Sequence, residues 1–236
     1  MNNIIKPFTV SIEGPIGVGK SRLLNYLRAS KEMTGAIFLD EALDKWENYK
    51  GKNLLELLYR NPKEFAFTFQ NYALLSMIER QIKSDNAEVR IMERSPLSSL
   101  KIFSGIMQKA GHISEEQKEI LQDWHSLLLS NNLVHLDIDA HIYVKAPIFV
   151  ALDRIGLRNR AGENHITIEH AMELHQAHED WLLPNTSNSN IEQHKILVVD
   201  GAKTGSDIAE EYIKVVNWIK RTKIERDGKW LAEAAN

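Results

Sequence analysis

Cysteine is absent from the 236 residues. That excludes a disulfide framework, a thiol nucleophile and cysteine-ligated zinc, and it suits a reducing cytoplasm. Positive charge is in deficit: 29 Lys and Arg against 32 Asp and Glu leave a formal net charge of −3. The broad basic footprint of a nucleic-acid binder is therefore missing. No apolar run approaches the ~20 residues that span a bilayer. The opening "MNNIIKPFTVSIEG" reaches an apolar strand within a few residues, so neither a signal nor a transit peptide is expected. Internal repeats and low-complexity segments are also lacking. What remains is 43% hydrophobic and 26% charged, the balance of a folded globular protein.

Short apolar runs at 8–14, 36–40, 89–93, 141–146 and 195–200 alternate with helical periodicity over 53–60, 62–84, 96–110, 114–131, 147–159, 167–183 and 206–221. Such alternation predicts an α/β fold. The expectation is a five-stranded parallel sheet flanked by helices in a three-layer sandwich, forming one domain over 1–236. Residues 41–52, 160–165 and 184–193 read as loops. The charged stretch 222–236 reads as a loosely held tail. Helices between the second and third strands are expected to build a wall beside the sheet.

One loop carries strong chemistry. Gly14, Pro15, Ile16, Gly17, Val18, Gly19, Lys20 and Ser21 fit the G-x-x-x-x-G-K-[ST] pattern, after a strand and opening a helix. Glycines let successive backbone N–H groups turn toward phosphate oxygens, and the helix N-terminus adds its attraction for anions. Lys20 reaches the outer phosphates and Ser21 suits Mg²⁺. A nucleoside triphosphate with magnesium is the implied ligand, which P-loop kinases, ATPases and switch GTPases share. Asn-Lys-x-Asp, the base motif of switch GTPases, is absent.

Ligands gather at the carboxyl ends of parallel strands, and two such ends carry acids. The second strand runs into Glu41, and the third ends in Glu93-Arg94-Ser95. Glu41 suits orientation of an attacking hydroxyl, Glu93 support of the metal, and Arg94 the charge on a reacting phosphoryl group. The fifth run ends in Asp200, which opens a loop, 200–207, suited to the nucleotide base.

The ordered set "IEGPIGVGKS", "EALDKW", "NLLELLYRNPKEFAFTFQNY", "MERS", "RIGLRNRAGEN", "LHQAHEDWL" and "ILVVDG" resembles the deoxyribonucleoside kinase family. The resemblance implies transfer of the ATP γ-phosphoryl group to a deoxynucleoside 5′-hydroxyl, with Glu41 as base and Arg94 beside it. It implies that Gln70 reads the base, that Trp46 and Phe103 pack on it, and that Tyr59 and Glu163 bind the 3′-hydroxyl. Composition alone would assign those aromatics to the core. The resemblance makes 154–166 a mobile lid whose Arg154, Arg158 and Arg160 close on phosphates. It also implies a homodimer joined through helices 62–84 and 96–131.

Purine- and deoxycytidine-preferring members of that family carry an arginine–aspartate pair near the base. The matching positions here are Met77 and Ser99, and Ala73 widens the same region. The expectation is a pyrimidine-preferring enzyme of nucleotide salvage. Gly162 departs from the acidic residue often found before Glu163. His165, His170, His175 and His178 lack the His-Glu-x-x-His order of zinc proteases, so structural or surface roles are expected. A thymidylate-kinase-like nucleoside monophosphate kinase and a non-catalytic nucleotide-binding subunit are the alternatives. Lys20, Ser21, Glu41, Glu93 and Arg94 together argue against the second.

Overall fold

β-Branched and apolar runs form five strands: β1 Phe8–Glu13, β2 Ile37–Leu39, β3 Val89–Glu93, β4 Ala140–Lys145 and β5 Lys195–Asp200. All pair in parallel, in the order β2-β3-β1-β4-β5. The computed structural model describes residues 6–84, 87–130, 135–160, 163, 166–183 and 195–234, with side chains to 228. The chain leaves central β1 for β2 on one side and later builds β4 on the other. This reversal opens a crevice at the carboxyl ends of the strands.

Helices cover both faces, as the alternation predicts. Alternate side chains of a strand point to opposite faces. Phe8, Val10 and Ile12 of β1, with Ile142 and Val144 of β4, pack on α1 Lys20–Ala29 and α10 Gly205–Ala234. The other face of β1 carries Thr9, Ser11 and Glu13, all at most 1% exposed. Their partners are polar: Arg90 Nη1 donates to Thr9 Oγ1 across 3.3 Å, and Ser11 Oγ lies 2.7 Å from His141 Nδ1. On β4, Tyr143 donates to Glu179 Oε1 across 2.6 Å and stacks on His178. Both partners belong to α9 Ile168–Leu182.

The helical wall consists of α2 Leu43–Glu47, α3 Leu54–Arg60 and α4 Pro62–Ile82. They pack around Trp46, Leu55, Leu58, Phe69 and Ala73. The remaining helices are α5 Pro96–Ser98, α6 Ser104–Lys109, α7 Glu115–Leu129 and α8 Ile148–Arg158.

Three segments differ from expectation. The stretch 41–52, read as a loop, contains α2, because Trp46 buries its ring and donates its indole N–H to Ser76 Oγ across 2.9 Å. The single helix expected over 96–110 is broken by a π-helical turn, Ser99–Phe103. There Ser104 Oγ donates to Leu100 O, and such serine back-bonding distorts helices. The segment from 222, read as a loose tail, continues α10 to Ala234. Thr222 is buried, and Lys223 pairs with Glu88 and Asp227, each across 2.8 Å. Its charges are partners along a helix and across to the sheet.

Candidate active site

The phosphate loop joins β1 to α1. Gly14 (φ 142°) and Gly17 (φ 82°) sit where a Cβ would fall 2.2 Å from Val144 O and 2.4 Å from Ala151 O, so the backbone approach tolerates only glycine. No acid stands in the first turn of α1, leaving its amides free for an anion. Lys20 is buried and donates to Pro15 O across 2.8 Å. Burial pushes its amine down to about 8, helped by the like charge of Arg94. Ile16, Gly17, Gly19, Lys20 and Ser21 line the main cavity, whereas Pro15 and Val18 line a small hollow behind the loop. Gly14 lines neither.

Strand alternation turns Glu93 to the same face as Ile91, toward α1. There Ser21 Oγ donates to Glu93 Oε1 across 3.0 Å. Burial raises the Glu93 carboxyl above its usual range, against the pull of Lys20. Two hard oxygen donors thus stand side by side at the cavity wall.

Arg94 takes a left-handed backbone conformation (φ 59°), a strain of order 1–2 kcal/mol for a residue with a Cβ. Its N–H donates to Ile12 O across 3.0 Å. Its guanidinium lies 4.7 Å above the Phe103 ring and donates through Nε to Glu41 Oε1 across 2.8 Å. Arg94 Nη1 is buried with no hydrogen-bond partner among the described residues. Such an orphaned donor beside a cavity is a ready site for a ligand oxygen. Two supports escaped the sequence reading. Arg80 donates to Asp40 O across 2.9 Å and holds the Glu41 loop. Glu13, wholly buried with its carboxyl raised by desolvation, accepts from Ser95 Oγ across 2.6 Å. A charged residue inside an apolar strand was the visible signal for Glu13.

Lys20, Ser21, Glu41, Glu93 and Arg94 line one part of a single cavity of about 310 Å³, whose remaining wall is largely apolar. Trp46, Tyr59, Gln70, Ala73, Met77, Ser99 and Phe103 all line it, so the structure brings the expected base and sugar residues together. Burial, with Glu163 and Glu41 nearby, pushes the Tyr59 hydroxyl up to about 12. Sequence reasoning missed Leu55, Leu58, Phe69, Ile106, Met107 and His170 of the lining. Met107 carried a signal, since it stands four residues beyond Phe103 on a helical face.

In the segment expected to form a lid, Glu163 accepts from Arg158 Nη2 across 2.7 Å and from Arg160 Nη1 across 3.2 Å. Arg160 also reaches Glu47, 3.6 Å away. Arg154 lines the cavity but donates to Gly201 O (2.9 Å) and Val18 O (3.3 Å), tying α8 to two backbone loops. Asp200 is not in the lining. It is exposed at the end of β5 and accepts from Ala202 N–H across 2.9 Å. Gly162 and His165 lie outside the described residues. His175 stands 3.9 Å from Glu179, and His178 is buried. Among the described residues no His, Asp and Glu group could hold a metal ion by itself.

A family model described as deoxynucleoside kinase matches residues 10–224. Deoxycytidine kinase 2 of Gallus gallus is 33% identical over 216 residues, covering 81% of each chain. Deoxycytidine kinase of Mus musculus is 30% identical with 89% of each chain covered. A mitochondrial deoxyguanosine kinase of Xenopus laevis is 30% identical over 80% of this chain and 78% of its own. The chain belongs to the deoxynucleoside kinase family and is a phosphotransferase whose acceptor is a deoxynucleoside.

Proposed function

We propose that this enzyme transfers the γ-phosphoryl group of ATP to the 5′-hydroxyl of a pyrimidine deoxynucleoside, in nucleotide salvage. The observation that carries the reading is the Glu41–Arg94 pair, 2.8 Å apart in the wall of the one cavity that the glycine loop and the apolar residues also line. The hollow takes the nucleoside, and the glycine loop takes the triphosphate. Glu41 orients the hydroxyl, and because a carboxylate is a far weaker base than an alkoxide, it receives the proton late. Arg94, with its free Nη1, neutralises charge on the oxygens in flight. Lys20 leaves Pro15 O for a phosphate oxygen, whose negative charge favours the protonated amine. Ser21 and Glu93, adjacent hard oxygens, would hold Mg²⁺, which supplies charge neutralisation to the triphosphate. Arg158 and Arg160 would pass from Glu163 to phosphate as the lid closes, leaving Glu163 and Tyr59 for the 3′-hydroxyl. Arg154 would brace the loops rather than touch phosphate.

A neutral hydroxyl suits Glu41 better than the incoming phosphate of a nucleoside monophosphate would. Met77 and Ala73 leave apolar room for a 5-methyl group, so thymidine and deoxycytidine are both accepted and purines fare worse. Exposed Leu75 of α4 and Trp124 of α7, which line one hollow, offer an apolar surface suited to a second copy of the chain. A cysteine-free chain fits a cytoplasmic setting. The test is labelled ATP with each of the four deoxynucleosides, wild type beside Glu41→Gln. Deoxyguanosine as the best substrate by kcat/KM overturns the base preference, and full activity in Glu41→Gln overturns the role of Glu41.

A further inference from the structure

Gln70 is the one amide side chain in the lining of the main cavity among the described residues, and both of its ends are engaged. Ser99 Oγ donates to Gln70 Oε1 across 2.7 Å, and Gln70 Nε2 donates to Met107 Sδ across 3.3 Å. Gln70 is 2% and Ser99 3% exposed, so water cannot readily stand in for either contact. Ser99 and Met107 reach the amide from the π-helical turn and the helix that continues it.

The two contacts differ in kind. A serine hydroxyl donates or accepts, whereas a thioether sulfur only accepts. Were the amide turned over, Ser99 would be satisfied by accepting from the N–H. The carbonyl oxygen would then face the Met107 sulfur with no proton between them. Met107 therefore sets the sense of the amide, and Ser99 completes it.

We propose that Met107 and Ser99 lock the Gln70 amide in one sense, and that this lock selects the polarity of the pyrimidine edge the enzyme prefers. The inference rests on the reading that this hollow receives a pyrimidine base. A uracil edge offers an N3–H donor beside a C4 carbonyl acceptor. A cytosine edge offers an N3 acceptor beside a 4-amino donor. An amide fixed in one sense matches one of these edges and opposes the other. Met77 and Ala73 respond to bulk, and the lock responds to hydrogen-bond polarity.

Deoxyuridine and deoxycytidine differ only at that edge, so the ratio of their kcat/KM values isolates it from any 5-methyl effect. In the wild type the ratio departs from one by about tenfold or more, because a mismatched edge leaves buried polar groups unpaired. Met107→Leu keeps the volume and removes the acceptor, and it moves the ratio toward one by about fivefold. Ser99→Ala removes a contact that either sense of the amide satisfies, so the sulfur still sets the sense and the preferred base stays the same. A wild-type ratio near one overturns the inference, as does a Met107→Leu variant that keeps the wild-type ratio or moves it further from one, or a Ser99→Ala variant that reverses the preference. If only purine deoxynucleosides are phosphorylated, the pyrimidine reading falls first, and this inference with it.

Discussion

Glu41 and Arg94 follow different strands, β2 and β3, yet meet through a 2.8 Å hydrogen bond between Oε1 and Nε. Neither could find the other by local structure. β2 pairs with β3 from Ile37–Arg90 to Leu39–Met92, and that register brings the two chain segments out together. Arg94 then adopts a left-handed turn, and the Phe103 ring lies against its guanidinium. Donor and acceptor are thus held together by the fold itself, the kind of preorganisation that the proposed role of the pair requires.

Glu41→Gln should lower kcat by about 10²–10⁴-fold, with a smaller change in nucleoside KM. The amide oxygen still accepts from Arg94, so the pair persists while the base is lost. Steady-state kinetics with thymidine checks this, and a kcat within threefold of wild type would refute the role.

Lys20→Met should abolish phosphoryl transfer and yet stabilise the ligand-free protein. The amine, about 8 when folded, has an ordinary value near 10.4 when unfolded. Below pH 8 its charge therefore costs the fold in full, on the order of 1–3 kcal/mol. That cost fades as pH rises from 8 to about 10.4. Urea unfolding at pH 7 and pH 10 reads both effects: the variant should gain stability at pH 7 and lose most of the gain at pH 10.

His178 makes the fold acid-sensitive. It is fully buried and donates from Nδ1 to Leu174 O, and desolvation, aided by Arg94, lowers it to about 3. The unfolded chain binds this proton near pH 6.5, and the folded one only near 3. Stability is therefore retained above pH 6.5 and lost as pH falls below it, by about 2 kcal/mol at pH 5. His178→Phe, which retains a ring beside Tyr143, should flatten the slope of stability between pH 6.5 and 5. An unchanged slope would clear His178 of the effect.

Tyr59 and Glu163 should make the 3′-hydroxyl indispensable. The phenol stays protonated to high pH, so it remains a donor through the working range. 3′-Deoxythymidine should fall by about 10²-fold or more in kcat/KM against thymidine. Equal turnover of the two would remove both residues from sugar recognition.

The sequence made some of this legible and hid the rest for physical reasons. The phosphate loop is contiguous, so one pattern carries Gly14 through Ser21. The strands show because both faces of a parallel sheet are covered, and two of their apolar runs lead into acids, Glu41 and Glu93, at the ligand side. Arg80 was hidden because its meaning is a contact across 40 positions; helical spacing places Met107 near Phe103, but its contact with Gln70, 37 positions away, needs the fold. The π-helical turn was hidden because a serine's choice of carbonyl leaves no periodic trace. The charged end of α10 looked like a solvated tail. Lys223, with one partner four residues on and another across the fold, needs coordinates to be understood.

The central strand has an oily side and a wired side. Phe8, Val10 and Ile12 settle into hydrocarbon, which forgives exchanges of similar bulk. Thr9, Ser11 and Glu13 plug into donors and acceptors, where a changed atom leaves a loose end. Random mutagenesis should reveal a two-residue rhythm along 8–13, with tolerance at even numbers and intolerance at odd ones. An engineer refitting this enzyme for new nucleosides would do well to leave the odd positions alone.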